Sequence, residues 1–76
     1  GAYFGRGVAY TILTDFQSAI EDFRTFLNSE KDKSTGWFYL GNCYIEIGDK
    51  PKAHDAWKIA ERLGESRATE KLAENF

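Results

Sequence analysis

The chain has 76 residues, 42% of them hydrophobic and 29% charged, with a formal net charge of -2 and an isoelectric point near 5.3. A chain of this size forms one domain that buries only about 60% of its unfolded surface, and the composition is that of a water-soluble globular unit. The charge argues against nucleic acid as a partner, no apolar run nears the roughly 18 residues of an inserted membrane helix, and one cysteine (Cys43) with one histidine (His54) excludes an internal disulfide and a zinc-ligand set.

Residues 1–13 contain Gly1, Gly5 and Gly7, each lowering helix stability by about 0.5–1 kcal/mol relative to alanine, yet Phe4, Val8, Thr11 and Ile12 recur at helical spacing and predict a first helix. Thr14 and Asp15 sit where Gly48 and Asp49 do, between one helix and the next, and Thr14 with Gln17 has the spacing of a capping box, so a second helix carrying Ala19 and Phe23 is expected to follow. The polar run from Asn28 to Ser34 is a linker. Ser34 is expected to cap a helix over 35–47, Gly48 to end it, and Asp49 with Pro51 to open another that reaches Leu63 before Gly64 closes it. The last segment, 65–75, places Ala68, Leu72 and Ala73 at helical spacing in a charged background and predicts a one-faced closing helix.

A shift of 34 residues lays Tyr3 on Trp37, Gly7 on Gly41, Tyr10 on Tyr44, Asp15 on Asp49, Ala19 on Ala53 and Phe23 on Trp57. Six matches at one offset, both glycines and a tyrosine pair among them, define a repeat. The single domain, 1–76, therefore divides into a first unit at about 1–33, a second at about 34–64 and a closing helix at about 65–76.

In the second unit, Trp37, Leu40, Gly41, Tyr44, Ala53 and Trp57 reproduce the pattern W-x2-L-G-x2-Y…A-x3-F, and Ala60 fits the small residue that follows it; the chain resembles the tetratricopeptide repeat family. The first unit departs from the pattern, with Arg6 for the leucine and Phe26 for the alanine, and Lys31 and Glu65 stand where the family usually has proline. Over 2–64 the resemblance implies an all-α fold, two helix-turn-helix repeats of a right-handed α-solenoid, with a C-terminal capping helix behind them. The residues themselves read as architecture: Gly7, Gly41, Ala19, Ala53 and Ala60 let helices approach, Tyr10 and Tyr44 fill the adjoining space, and Phe23 and Trp57 supply large aromatic surface.

With Trp37, Leu40, Gly41, Tyr44 and Ile47 assigned to packing, Thr35, Phe38, Asn42, Ile45 and Glu46 remain on the adjacent face, matched in the first unit by Phe4, Val8, Thr11 and Ile12. The resemblance implies that these first helices line a concave groove that receives a peptide or partner helix. Phe4, Val8, Ile12, Phe38, Asn42 and Glu46 are then the expected protein-partner contacts, with Tyr39 at the margin. One subtype of the family clamps a terminal carboxylate with Lys, Asn and Arg. Asn42 matches its asparagine, but Phe38 holds the lysine place one turn earlier and Phe4 and Val8 are its equivalents, so an apolar or mixed groove is expected. The same strip also suits a homo-oligomer contact, or packing inside a longer repeat array whose neighbours cover it.

No catalytic, cofactor-binding or metal-ligating set is expected, and the reading is of a binding module rather than an enzyme. Carboxylates are expected at helix ends or on polar faces, with Asp15, Asp49 and Glu21 as caps and first-turn charges. His54 and Asp55 are adjacent on a helix and diverge by about 100°, Cys43 has no basic flank and reads as a small buried thiol, and the early glycines lack the Lys-Ser/Thr ending of a phosphate loop.

Overall fold

The computed structural model describes residues 2–76, which form helices and turns only. The helices are α1 (Tyr3–Ile12), α2 (Phe16–Ser29), α3 (Ser34–Glu46), α4 (Lys50–Arg62) and α5 (Ser66–Asn75). Each packs on the next, and α1 also touches α3. Among the described residues no helix is long and apolar enough to cross a membrane.

One turn recurs at three of the connections. The backbone N–H groups of Asp15, Asp49 and Glu65 donate to the carbonyls of Tyr10, Tyr44 and Ala60, each at 2.9 Å, while the preceding residues close onto Thr11, Ile45 and Glu61. This arrangement needs a left-handed residue after the helix. Gly48 and Gly64 supply it at φ 84° and 100°, and at the first turn Thr14 is held at φ 61°. Thr14 therefore stops α1 as Gly48 stops α3, in line with its place in the repeat, and the capping-box spacing with Gln17 is not used. Asp15 is the cap of α2, its carboxylate accepting from the Ser18 N–H at 3.3 Å just as that of Asp49 accepts from Lys52. The cap position of α3 likewise falls on Lys33, one residue before Ser34.

Inside each pair, a glycine on the first helix faces a fully buried aromatic ring on the second. A Cβ on Gly7 would stand 2.8 Å from the ring of Phe23, and one on Gly41 would overlap the indole of Trp57. Phe23 and Trp57 have no accessible surface, and burial of each contributes about 2–3 kcal/mol. Ile47, expected in the packing stripe, is 40% exposed because α3 has already ended at Glu46.

The pairs differ by coupled exchanges. Leu40 and Ala56 are both buried in the second pair; their counterparts in the first are Arg6 and Asp22, which form a two-pronged ion pair at 2.8 and 2.7 Å. The Asp22 side chain is 7% exposed and that of Arg6 57%, so the guanidinium stays in water while it satisfies a buried carboxylate. That hydrogen-bonded cation holds the Asp22 carboxyl below its usual range. Asp22 thus departs from the expectation that carboxylates lie only at helix ends and polar faces. Phe26, in the place of Ala60, is accommodated by Gly36, where a Cβ would come within 3.1 Å of its ring.

The closing helix docks on α4. Ala68 is fully buried, Thr69 Oγ1 donates to Glu61 Oε2 at 2.7 Å, and the Phe76 ring lies edge-on to His54 at 4.9 Å.

Candidate functional site

The face of α1 and α3 expected to be open is partly closed by the fold. The Phe4 ring is half-buried, with centroids of Phe23, Phe26 and Tyr39 at 5.7, 5.2 and 5.6 Å. Val8 is half-buried against the same core, and Tyr39 stacks on Phe23 at 5.9 Å. Phe38, an expected surface contact, is only 5% exposed. The Arg67 guanidinium of α5 stands 4.5 Å over its ring and Tyr39 packs against it, so the docking of the closing helix turns Phe38 into an internal residue. Asn42 is half-buried and Glu46 exposed, while Ile12 is 77% exposed at the end of α1.

What stays open is a depression of about 300 Å³ lined by Thr11, Phe16, Asn42, Ile45, Glu46 and Lys71. Four helices contribute to it. Thr11 Oγ1 donates to the Gly7 carbonyl at 2.9 Å and lies 3.6 Å from Cys43 Sγ, where α1 meets α3. Asn42 is oriented from behind: the Trp57 indole N–H donates to its Oδ1 and to the Phe38 carbonyl, both at 3.2 Å. This leaves the Asn42 Nδ2 hydrogens for the depression. Phe23 has no N–H to satisfy, and the counterpart of Asn42 in the first unit is Val8. Glu46 and Lys71 have no ion-pair partner within 4 Å among the described residues, so the depression offers one charge of each sign beside the apolar Ile45 and Phe16.

Cys43 is fully buried, and that burial pushes its thiol above the usual range, which disfavours the reactive thiolate. His54 Nδ1 lies 3.8 Å from Asp55 Oδ1, longer than a hydrogen bond. Among the described residues no group of three or more His, Cys, Asp or Glu side chains converges as a metal site would require.

No protein-family model and no curated protein matches the chain.

Two lining residues lay outside the sequence-based set altogether. Phe16 is the first residue of α2, and Lys71 comes from α5, whose docking angle no helical periodicity encodes. Thr11 and Ile45 lie on the expected faces, and packing brings them to the depression while Phe38 is covered.

Proposed function

We propose that the protein is an interaction module of the tetratricopeptide type, two repeats and a capping helix in a right-handed solenoid, that binds a peptide or partner helix across α1, α3 and α5 and catalyses no reaction. The observation that carries this reading is the depression where the oriented Asn42 amide lies between an apolar floor and two unpaired opposite charges. The turn shared by Thr14 and Gly48 and the glycine-on-aromatic contact in both pairs, at one 34-residue offset, support the family. In this site Asn42 Nδ2 donates to a main-chain carbonyl of the partner. Glu46 and Lys71 select its direction by charge, and Ile45 with Phe16 receives an apolar side chain.

The test is a titration of the ¹⁵N-labelled chain with the tightest peptide from a random display library. The largest shifts are expected at the Asn42 side-chain amide, Glu46 and the Trp57 indole, and Glu46→Lys is expected to weaken binding roughly tenfold. Shifts confined to other surfaces, with the Glu46→Lys variant binding as well as wild type, would overturn the reading.

A second reading rests on a different observation. Ile12 and Leu13 are 77% and 71% exposed, and Ile47, the counterpart of Leu13, is 40% exposed, which leaves an apolar edge at the ends of α1 and α3. That edge favours self-association, or packing against further repeats of a longer array.

A further inference from the structure

On the opposite face of α3 from Asn42 and Glu46, helices α2, α3 and α4 line a larger, open hollow of about 530 Å³. Its floor is apolar, with Leu27, Trp37, Leu40 and Ile59 among its walls. Its rim is basic: Arg24, Lys31 and Lys52 stand against the single carboxylate of Asp55, whose side chain is 82% exposed. Among the described residues Arg24 and Lys31 have no carboxylate within 4 Å, and Lys52 reaches only Asp49, at 3.8 Å. This concentration of positive charge occurs in a chain of net charge -2. It is also particular to one place in the repeat. Moved on by 34 residues, Leu27 and Lys31 become Glu61 and Glu65, and Arg24 becomes Lys58, which pairs with Glu61 at 3.3 Å; moved back, Leu40 and Ala56 become Arg6 and Asp22. The Trp37 indole N–H donates to the Lys31 carbonyl at 2.9 Å, which fixes the turn that carries Lys31 beside the aromatic wall.

We propose that this hollow is a second docking site, for an acidic peptide segment that inserts one large apolar side chain between Trp37, Leu40 and Ile59 while its carboxylates meet Arg24, Lys31 and Lys52. The charge balance selects an acidic occupant, and the layout selects a chain. Arg24 and Lys31 follow one another along α2 and the turn after it over roughly 10 Å, the length of about three extended residues. Lys52 stands on the α4 wall, so carboxylates on either side of the inserted side chain each find a cation. A single anionic head group has no use for such a spread. The site lies on another face from the groove and does not depend on that reading.

The two tryptophans report on the two faces separately, Trp37 from the hollow and Trp57 from beside Asn42. The probe is a capped peptide with one phenylalanine flanked on each side by two glutamates, titrated into the ¹⁵N-labelled chain. The Trp37 indole signal is expected to move while that of Trp57 stays. Arg24→Gln with Lys31→Gln, both at exposed positions, is expected to weaken binding about fivefold or more at low salt without lowering Tm, and a peptide with glutamine for glutamate is expected to lose at least as much. The proposal is overturned if Trp37 stays still at about 1 mM peptide, or if the double variant or the glutamine peptide binds unchanged. It is equally overturned if the Trp37 signal moves with protein concentration alone, which assigns the hollow to a second copy. If the peptide moves Trp57 instead, this site fails and the groove reading stands.

Discussion

In α3–α4 the helices meet through Leu40 and Ala56, and Trp57 is held by Asn42; in α1–α2 the same four places hold Arg6, Asp22, Phe23 and Val8. Each pair is consistent within itself. A buried carboxylate has its guanidinium, an indole N–H has its amide oxygen, and a phenyl ring that needs no acceptor has an aliphatic neighbour. What the two pairs share is backbone geometry: the glycine under the ring and the left-handed residue that ends the first helix. What they do not share is chemistry, and each exchange involves two residues at once because a single one would bury an unsatisfied polar group. The surfaces diverge accordingly. The first pair presents a water-exposed Arg6, whereas the second, with α2, provides the apolar floor of the larger hollow.

The shared geometry is broken most severely at Gly41. Gly41→Ala forces a Cβ into an indole that cannot move, and a loss of about 3 kcal/mol is expected by denaturant unfolding. Gly7→Ala meets the edge of Phe23 at 2.8 Å and is expected to cost less. An equal loss at both positions would mean that the two pairs close with the same tightness.

The coupled exchange comes next. Arg6→Leu leaves the buried Asp22 carboxylate without its partner and is expected to cost about 1–3 kcal/mol. Asp22→Ala leaves only a solvated guanidinium and is expected to cost less, and the double variant, which reproduces Leu40 and Ala56, is expected to recover most of the Arg6→Leu loss. Asp22 adds a pH signature. The Arg6 guanidinium holds its folded pKa below the usual carboxylate range, so its contribution is complete above that range and disappears as pH falls through the folded value. Unfolding curves measured between about pH 2 and 5 should therefore be flatter for the double variant than for wild type.

Smaller effects sharpen the contrast. Asn42→Val, the residue of the first pair, removes one acceptor from the Trp57 N–H and is expected to cost about 1 kcal/mol. Thr14→Gly relieves a β-branched residue at φ 61° and is expected to gain up to about 1 kcal/mol in thermal unfolding. A loss at Thr14→Gly would show that the threonine is held there by contacts worth more than its strain.

Much of this was legible in the residues. The 34-residue offset, the Gly48 and Gly64 stops and the Asp49-Pro51 start all describe local chemistry, and local chemistry decided the helices. Thr14 carries two signals, capping-box spacing with Gln17 and the 34-residue match to Gly48, and the backbone follows the second. Periodicity also placed Phe38 and Asn42 together on one face. It gave no account of how α5 docks, and that docking covers Phe38 with Arg67 and brings Lys71 to the depression. The Arg6–Asp22 pair bridges 16 positions, but it was readable in principle as a joint departure from Leu40 and Ala56.

The groove reading and the self-association reading part most directly on the solution mass of the purified chain. Light scattering over about a hundredfold concentration range, on wild type and Ile12→Lys, tests whether the exposed end of α1 is free. A mass of 8.7 kDa is expected for both proteins throughout. A wild-type mass that doubles with concentration, and that Ile12→Lys returns to the monomer, would contradict it and make this edge an interface between copies.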